Sequence, residues 1–76
     1  MINVIAPNYP LALLWAKQNN HESIIYVTDC EQVNRQYPIA IIEKYSGTPL
    51  EFSRDKRRLI REIEINHTRI THVEVR

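Results

Sequence analysis

Arg54, Arg57, Arg58 and Arg61 are spaced i, i+3, i+4 and i+7, which lines side chains along one face of a helix. Guanidinium forks donate paired hydrogen bonds to carboxylate or phosphate, so the stripe suits an acidic protein surface or a nucleic-acid backbone. The same residues also read as a solvated face. Asp55 lies three residues from Arg58, Glu62 four from it, and Glu64 three from Arg61, all within ion-pairing reach on a helix. No aromatic platform accompanies the arginines, and the net charge is only +1, which weighs toward a protein partner and makes nucleic acid the second choice.

The remaining reactive types are sparser. Cys30 stands where a helix N-terminus could lower a thiol pKa, but Asp29 and Glu31 flank it and oppose the thiolate. No spacing pairs it with His21, His67 or His72 as a base, and the histidines match no metal-ligand pattern, so neither a metal nor another cofactor is expected. Asp29 reads as a helix cap rather than a catalytic acid. If the strands are parallel, a small-molecule crevice can form only beyond their carboxyl ends, at Asn8 and Tyr9, Asp29 and Cys30, and Tyr45 and Ser46. The first strand runs into Pro7-Asn8-Tyr9-Pro10 with no glycine to let backbone approach an anion, which disfavours a nucleotide there.

Positioning these residues requires alternating elements. Ile2 to Ala6 reads as a buried strand stopped by Pro7, and Leu11, Leu14 and Trp15 as one face of a helix ending at Asn19-Asn20-His21. Ser23 to Val27 has strand composition, and Thr28 with Glu31 or Asp29 with Gln32 opens a short helix through Val33. Ile39 to Ile42 is a third apolar run, covered on both faces, before a turn at Tyr45-Ser46-Gly47. Phe52, Leu59, Ile60 and Ile63 form the apolar arc of the last helix. Thr48-Pro49-Leu50-Glu51 resembles its start, but Ser53 as N-cap keeps Leu50 off the polar face. Thr71, Val73 and Val75 alternate with polar residues as an edge strand does. The expected fold is a single α/β domain over residues 1–76: a two- or three-layer, mostly parallel four-stranded sheet with three helices, β-α-β-α-β-α-β, in the order 2-1-3-4.

At 76 residues, 43% hydrophobic and 25% charged, the chain has an ordinary globular composition but is small, burying about 60% of its unfolded surface. One cysteine makes no internal disulfide, and the longest apolar run, Leu11 to Ala16, is far short of a membrane span, so a cytoplasmic protein with no membrane contact is the expectation. Residues 1–38 carry two basic and three acidic side chains, and the rest eight and six, which makes the C-terminal half mildly basic. Leu13 lies on the side of the first helix opposite Leu11, Leu14 and Trp15 and offers an apolar contact. A homodimer is open through Leu13 or through the edge of the last strand.

Leu14-Trp15-Ala16-Lys17, together with Tyr26-Val27-Thr28-Asp29, resembles the small Rossmann-like α/β accessory proteins of bacteriophages, over the first half of the chain. That family's function is mostly unassigned. The resemblance implies an accessory protein acting in the host cytoplasm and carries over no active site. The combined reading is a non-enzymatic binding protein, a modulator or inhibitor that occludes the acidic surface of a host protein, with a nucleic-acid-binding accessory protein as the alternative.

Overall fold

β1 (Ile2–Ile5), apart from Asn3, and the first four residues of β3 (Ile39–Tyr45) are apolar on both faces because both strands lie inside the sheet. The computed structural model describes all 76 residues. In chain order, β1 leads to α1 (Tyr9–Gln18), β2 (Ile24–Tyr26), a single 3₁₀ turn at Cys30–Gln32, β3, β4 (Thr48–Pro49), α2 (Arg54–Asn66) and β5 (Ile70–Val75). β1 pairs in parallel with β2 and β3, and β3 pairs in parallel with β5, giving β2-β1-β3-β5 across the sheet. β4 pairs antiparallel with the far end of β3, so the sheet is mixed. No helix is long and apolar enough to cross a membrane.

The expectation of four strands and three helices is corrected to five strands and two helices. The middle helix fails because its caps close on themselves. Asp29 Oδ1 accepts from Glu31 N at 3.0 Å, and Gln32 Oε1 folds back to Thr28 N at 2.7 Å. The following segment is then drawn away by Asn3, the one fully buried polar side chain. Its Nδ2 donates to the carbonyls of Asn34 (2.9 Å), Tyr37 (3.1 Å) and Pro38 (3.2 Å), and its Oδ1 accepts from Asn34 N (2.9 Å). The extra strand comes from the turn at Ser46-Gly47, where φ is +48° and +81°, the pair of positive values that a two-residue hairpin of matching twist requires. Thr48-Pro49 is therefore a strand, with proline tolerated because β4 is an edge.

The sheet has an apolar layer on each side. Val4, Ala6, Ala40, Ile42 and Val75 pack under Ala12, Trp15 and Ala16 of α1, while Ile5, Val27, Ile39 and Ile41 pack under Leu59 and Ile63 of α2. Placing α1 and α2 on opposite faces is what crossovers of one hand require when the chain reverses direction across the sheet after β2. α2 starts at Ser53, whose Oγ accepts from Lys56 N at 3.2 Å.

Candidate functional site

The burial of Leu59 and Ile63 fixes the rotation of α2 and turns Arg54, Arg57, Arg58 and Arg61 to solvent. All four are exposed, and they alone line a shallow hollow of about 370 Å³. None has a carboxylate oxygen within 4.0 Å; the only basic side chain that does is His72, beside Glu43 and Glu64. The acidic residues that their spacing offered as partners are elsewhere. Glu62 accepts the Cys30 thiol at 2.9 Å, and Glu64 Oε2 lies 3.8 Å from His72 Nε2. Asp55 lines a second hollow with Thr28, Asp29, Cys30 and Glu62, which Arg58 borders as well, beyond ion-pairing distance of any of these carboxylates. The stripe is thus a row of exposed guanidiniums, none of them within 4.0 Å of a carboxylate.

Ile65 extends this face. It lies four residues beyond Arg61 and seven beyond Arg58, on the same side of the helix, and is 75% exposed, the most exposed large apolar side chain in the chain. Sequence reasoning assigned the isoleucines of this helix to the core and passed over Ile65, although the i+4 spacing from Arg61 places it outside the apolar arc.

The crevice expected beyond the strand ends is not assembled. Lys56, half-buried on α2, reaches into that space: its Nζ donates to the carbonyls of Ala6 (2.7 Å) and Pro7 (3.2 Å) and to the Tyr26 hydroxyl, and overlies the Tyr26 ring at 4.9 Å. Three partners use all three ammonium protons. Tyr9 packs edge-on against Tyr26 at 5.2 Å, and Asn8 Oδ1 caps α1 through Leu11 N at 3.0 Å. Asp29 and Cys30 share a hollow of about 190 Å³ with Arg58 and Glu62, whereas Asn8, Tyr45 and Ser46 line none, the last two being carried off by the hairpin.

The Cys30 thiol is pushed up from its ordinary 9.0 to about 11, chiefly by donating to Glu62, then by desolvation and by the negative charges of Glu62 and Asp29. Of the two flanking carboxylates expected to suppress the thiolate, Asp29 does so. Glu62, contributed by α2 across a tertiary contact, does more and could not be seen in the local sequence. Of the histidines, His21 stacks on Trp15 at 5.1 Å, His67 follows the end of α2, and His72 stands between Glu43 and Glu64.

Leu13 is 46% exposed and lines the roomiest surface hollow, about 530 Å³, with Met1, Tyr9 and Ile24 beside the β2 edge. It belongs to the α1 face, on the opposite side of the sheet from the arginines. The structure therefore puts the two contact candidates of the sequence, Leu13 and the arginine stripe, on opposite faces of the sheet. Comparison with protein-family models, with curated proteins and with solved structures gave no match.

Proposed function

We propose that this chain is a non-enzymatic binding protein that covers an acidic surface of a partner protein with the outward face of α2. The observation that supports it is the row of four exposed arginines with no carboxylate in ion-pairing range, although the fold holds Glu62 and Glu64 on the same helix and uses them for Cys30 and His72. Like charges at helical spacing cost about 0.2–0.5 kcal/mol per pair in the free chain, a cost that carboxylates on a partner remove. Ile65 at the end of the stripe supplies an apolar anchor, and interface energy concentrates where arginine and apolar anchors lie inside a polar rim.

A phosphate backbone is the less favoured occupant. Asp55, Glu62 and Glu64 share the helix with the arginines, and an exposed isoleucine gains nothing from phosphates. A second copy meeting through the same face would set arginine against arginine. The mode of action is occlusion. Together with the resemblance to phage accessory proteins, it makes the partner a host protein in the cytoplasm and this chain its modulator or inhibitor.

The test is recovery of a partner from nuclease-treated bacterial lysate by the wild-type chain and by Arg57→Glu/Arg61→Glu, followed by association kinetics with the purified partner. The reversal takes the net charge from +1 to −3, that is +1 minus 4. It is expected to slow association by about tenfold or more with an unchanged circular dichroism spectrum. A partner held equally by both chains removes the stripe from the mechanism. Recovery of nucleic acid alone transfers the site to the second reading.

A further inference from the structure

At the end of the sheet away from the strand carboxyl ends, β3 enters from the segment Asn34–Pro38 and β5 enters from the turn His67–Arg69. Between them is a hollow of about 160 Å³ whose lining includes Arg35, Tyr37, Asn66, His67, Thr68 and Arg69 and no carboxylate. Neither arginine has an acidic partner. The side chains of Arg35, Tyr37, His67 and Thr68 make no hydrogen bond, and Arg69 spends only one N–H, on Gln36 O at 3.4 Å. Two guanidiniums, an imidazole and a hydroxyl, contributed by segments more than thirty residues apart, thus line one hollow with all but one of their donors unspent.

The walls are fixed before any ligand arrives. The four hydrogen bonds of buried Asn3 hold the Asn34–Pro38 segment from below, Ile39 N donates to Arg69 O at 2.9 Å, and Arg69 reaches across to Gln36. α2 ends here, and the carbonyls of a helix C-terminus repel anions. Of the four left free at the end of α2, that of Ile63 is already engaged, by His67 N at 3.0 Å.

We propose that this hollow is a phosphoryl-anion site, separate from the α2 stripe, in which the Arg35 and Arg69 guanidiniums hold a tetrahedral dianion and His67 and Thr68 donate to its remaining oxygens. Forked guanidiniums match such oxygens in pairs, and a dianion cancels the repulsion between two unpaired cations. The hollow takes one phosphoryl group and is open on one side, so the rest of a phosphate monoester would lie in solvent. Inorganic phosphate and a monoester share this chemistry.

The full chain, ¹⁵N-labelled and at constant ionic strength, is titrated with inorganic phosphate and, separately, with phenyl phosphate. The expected result is saturable shifts of the Arg35–Tyr37 and Asn66–Arg69 amides. Binding should weaken roughly tenfold in Arg35→Ala and in Arg69→Ala and be lost in the double variant, as expected for losing a charge-assisted contact. Both side chains are exposed, and dispersed amide spectra of the variants establish that they fold. Equal affinity for the two probes identifies the free ion as the ligand, and tighter phenyl phosphate identifies a monoester. Shifts confined to Arg54–Arg61, shifts that survive in the double variant, or no shift with either probe would overturn the site.

Discussion

Single residues carry the sharpest consequences. Asn3 is a polar residue inside an otherwise apolar strand, and its four hydrogen bonds tie the segment before β3 to β1. Asn3→Ala removes the acceptor of Asn34 N and the donor to three carbonyls without replacing either. It should lower the unfolding free energy by about 2–4 kcal/mol, read from the urea midpoint at unchanged slope. Cys30 makes the opposite kind of prediction. Because the thiolate is the nucleophile, a thiol near 11 holds about a hundredfold less thiolate at pH 8 than one at its ordinary 9.0, and, with the greater nucleophilicity of the more basic thiolate set against that, should alkylate about tenfold more slowly. Its rate should still climb between pH 9 and 11, and Glu62→Gln should shift the inflection back toward 9. The folded value lies above the unfolded one, so the stability contributed by the protonated thiol is complete below pH 9 and is lost as pH rises toward 11.

At the scale of elements, the hairpin and the 3₁₀ turn distinguish this fold from a plain β-α repeat. Gly47 at φ +81° has open space where a Cβ would stand, so Gly47→Ala meets only the backbone penalty of the left-handed region. About 1 kcal/mol of stability should be lost on thermal unfolding, with the amides of β3 and β5 unshifted. The hairpin signal was on the page as Ser-Gly, but Pro49 after Thr48 matches a helix start equally well. Only the backbone pairing of Leu50 N with Glu43 O (2.8 Å) decides for a strand. The end of β5 is also covered in a way that the sequence does not announce. The Gln18 side chain donates to Arg76 O at 2.8 Å and accepts from Arg76 N at 2.9 Å, standing in for a neighbouring strand.

The whole molecule is a body with a Cα radius of gyration of 11.3 Å, against about 11.4 Å for a compact chain of this length. The arginine stripe therefore rides on a packed frame, and its partner meets preformed charges. Long-range steering by such charges is screened by salt. Raising ionic strength from about 0.01 M to 0.15 M shortens the screening length from about 30 Å to 8 Å, so the association rate constant with the partner should fall while dissociation changes little. A salt-independent association rate, measured by stopped flow, would show that Ile65 and shape, rather than the stripe, govern encounter. The two apolar layers also explain why Leu13 and the arginines cannot serve one flat contact: α1 and α2 stand on opposite faces of the sheet.

Local sequence determined the strand at Ile2–Ile5, the apolar first half of β3 at residues 39–42, though not its continuation to Tyr45, the helix of Trp15 and the arginine helix capped by Ser53, because period and capping act within a turn or two of chain. It also put the four arginines on one face. Tertiary structure decided which acidic residues would leave them bare, since Glu62 turns to Cys30 and Glu64 to His72 only after strands and helix have packed. It decided that Lys56 would fill the strand-end crevice, and that Arg35 and Arg69 would line one hollow. Except for Glu64 and His72, which are eight residues apart across the turn into β5, these contacts join residues more than thirty positions apart, and no local pattern encodes them because their energy appears only when separate segments are held at hydrogen-bonding distance.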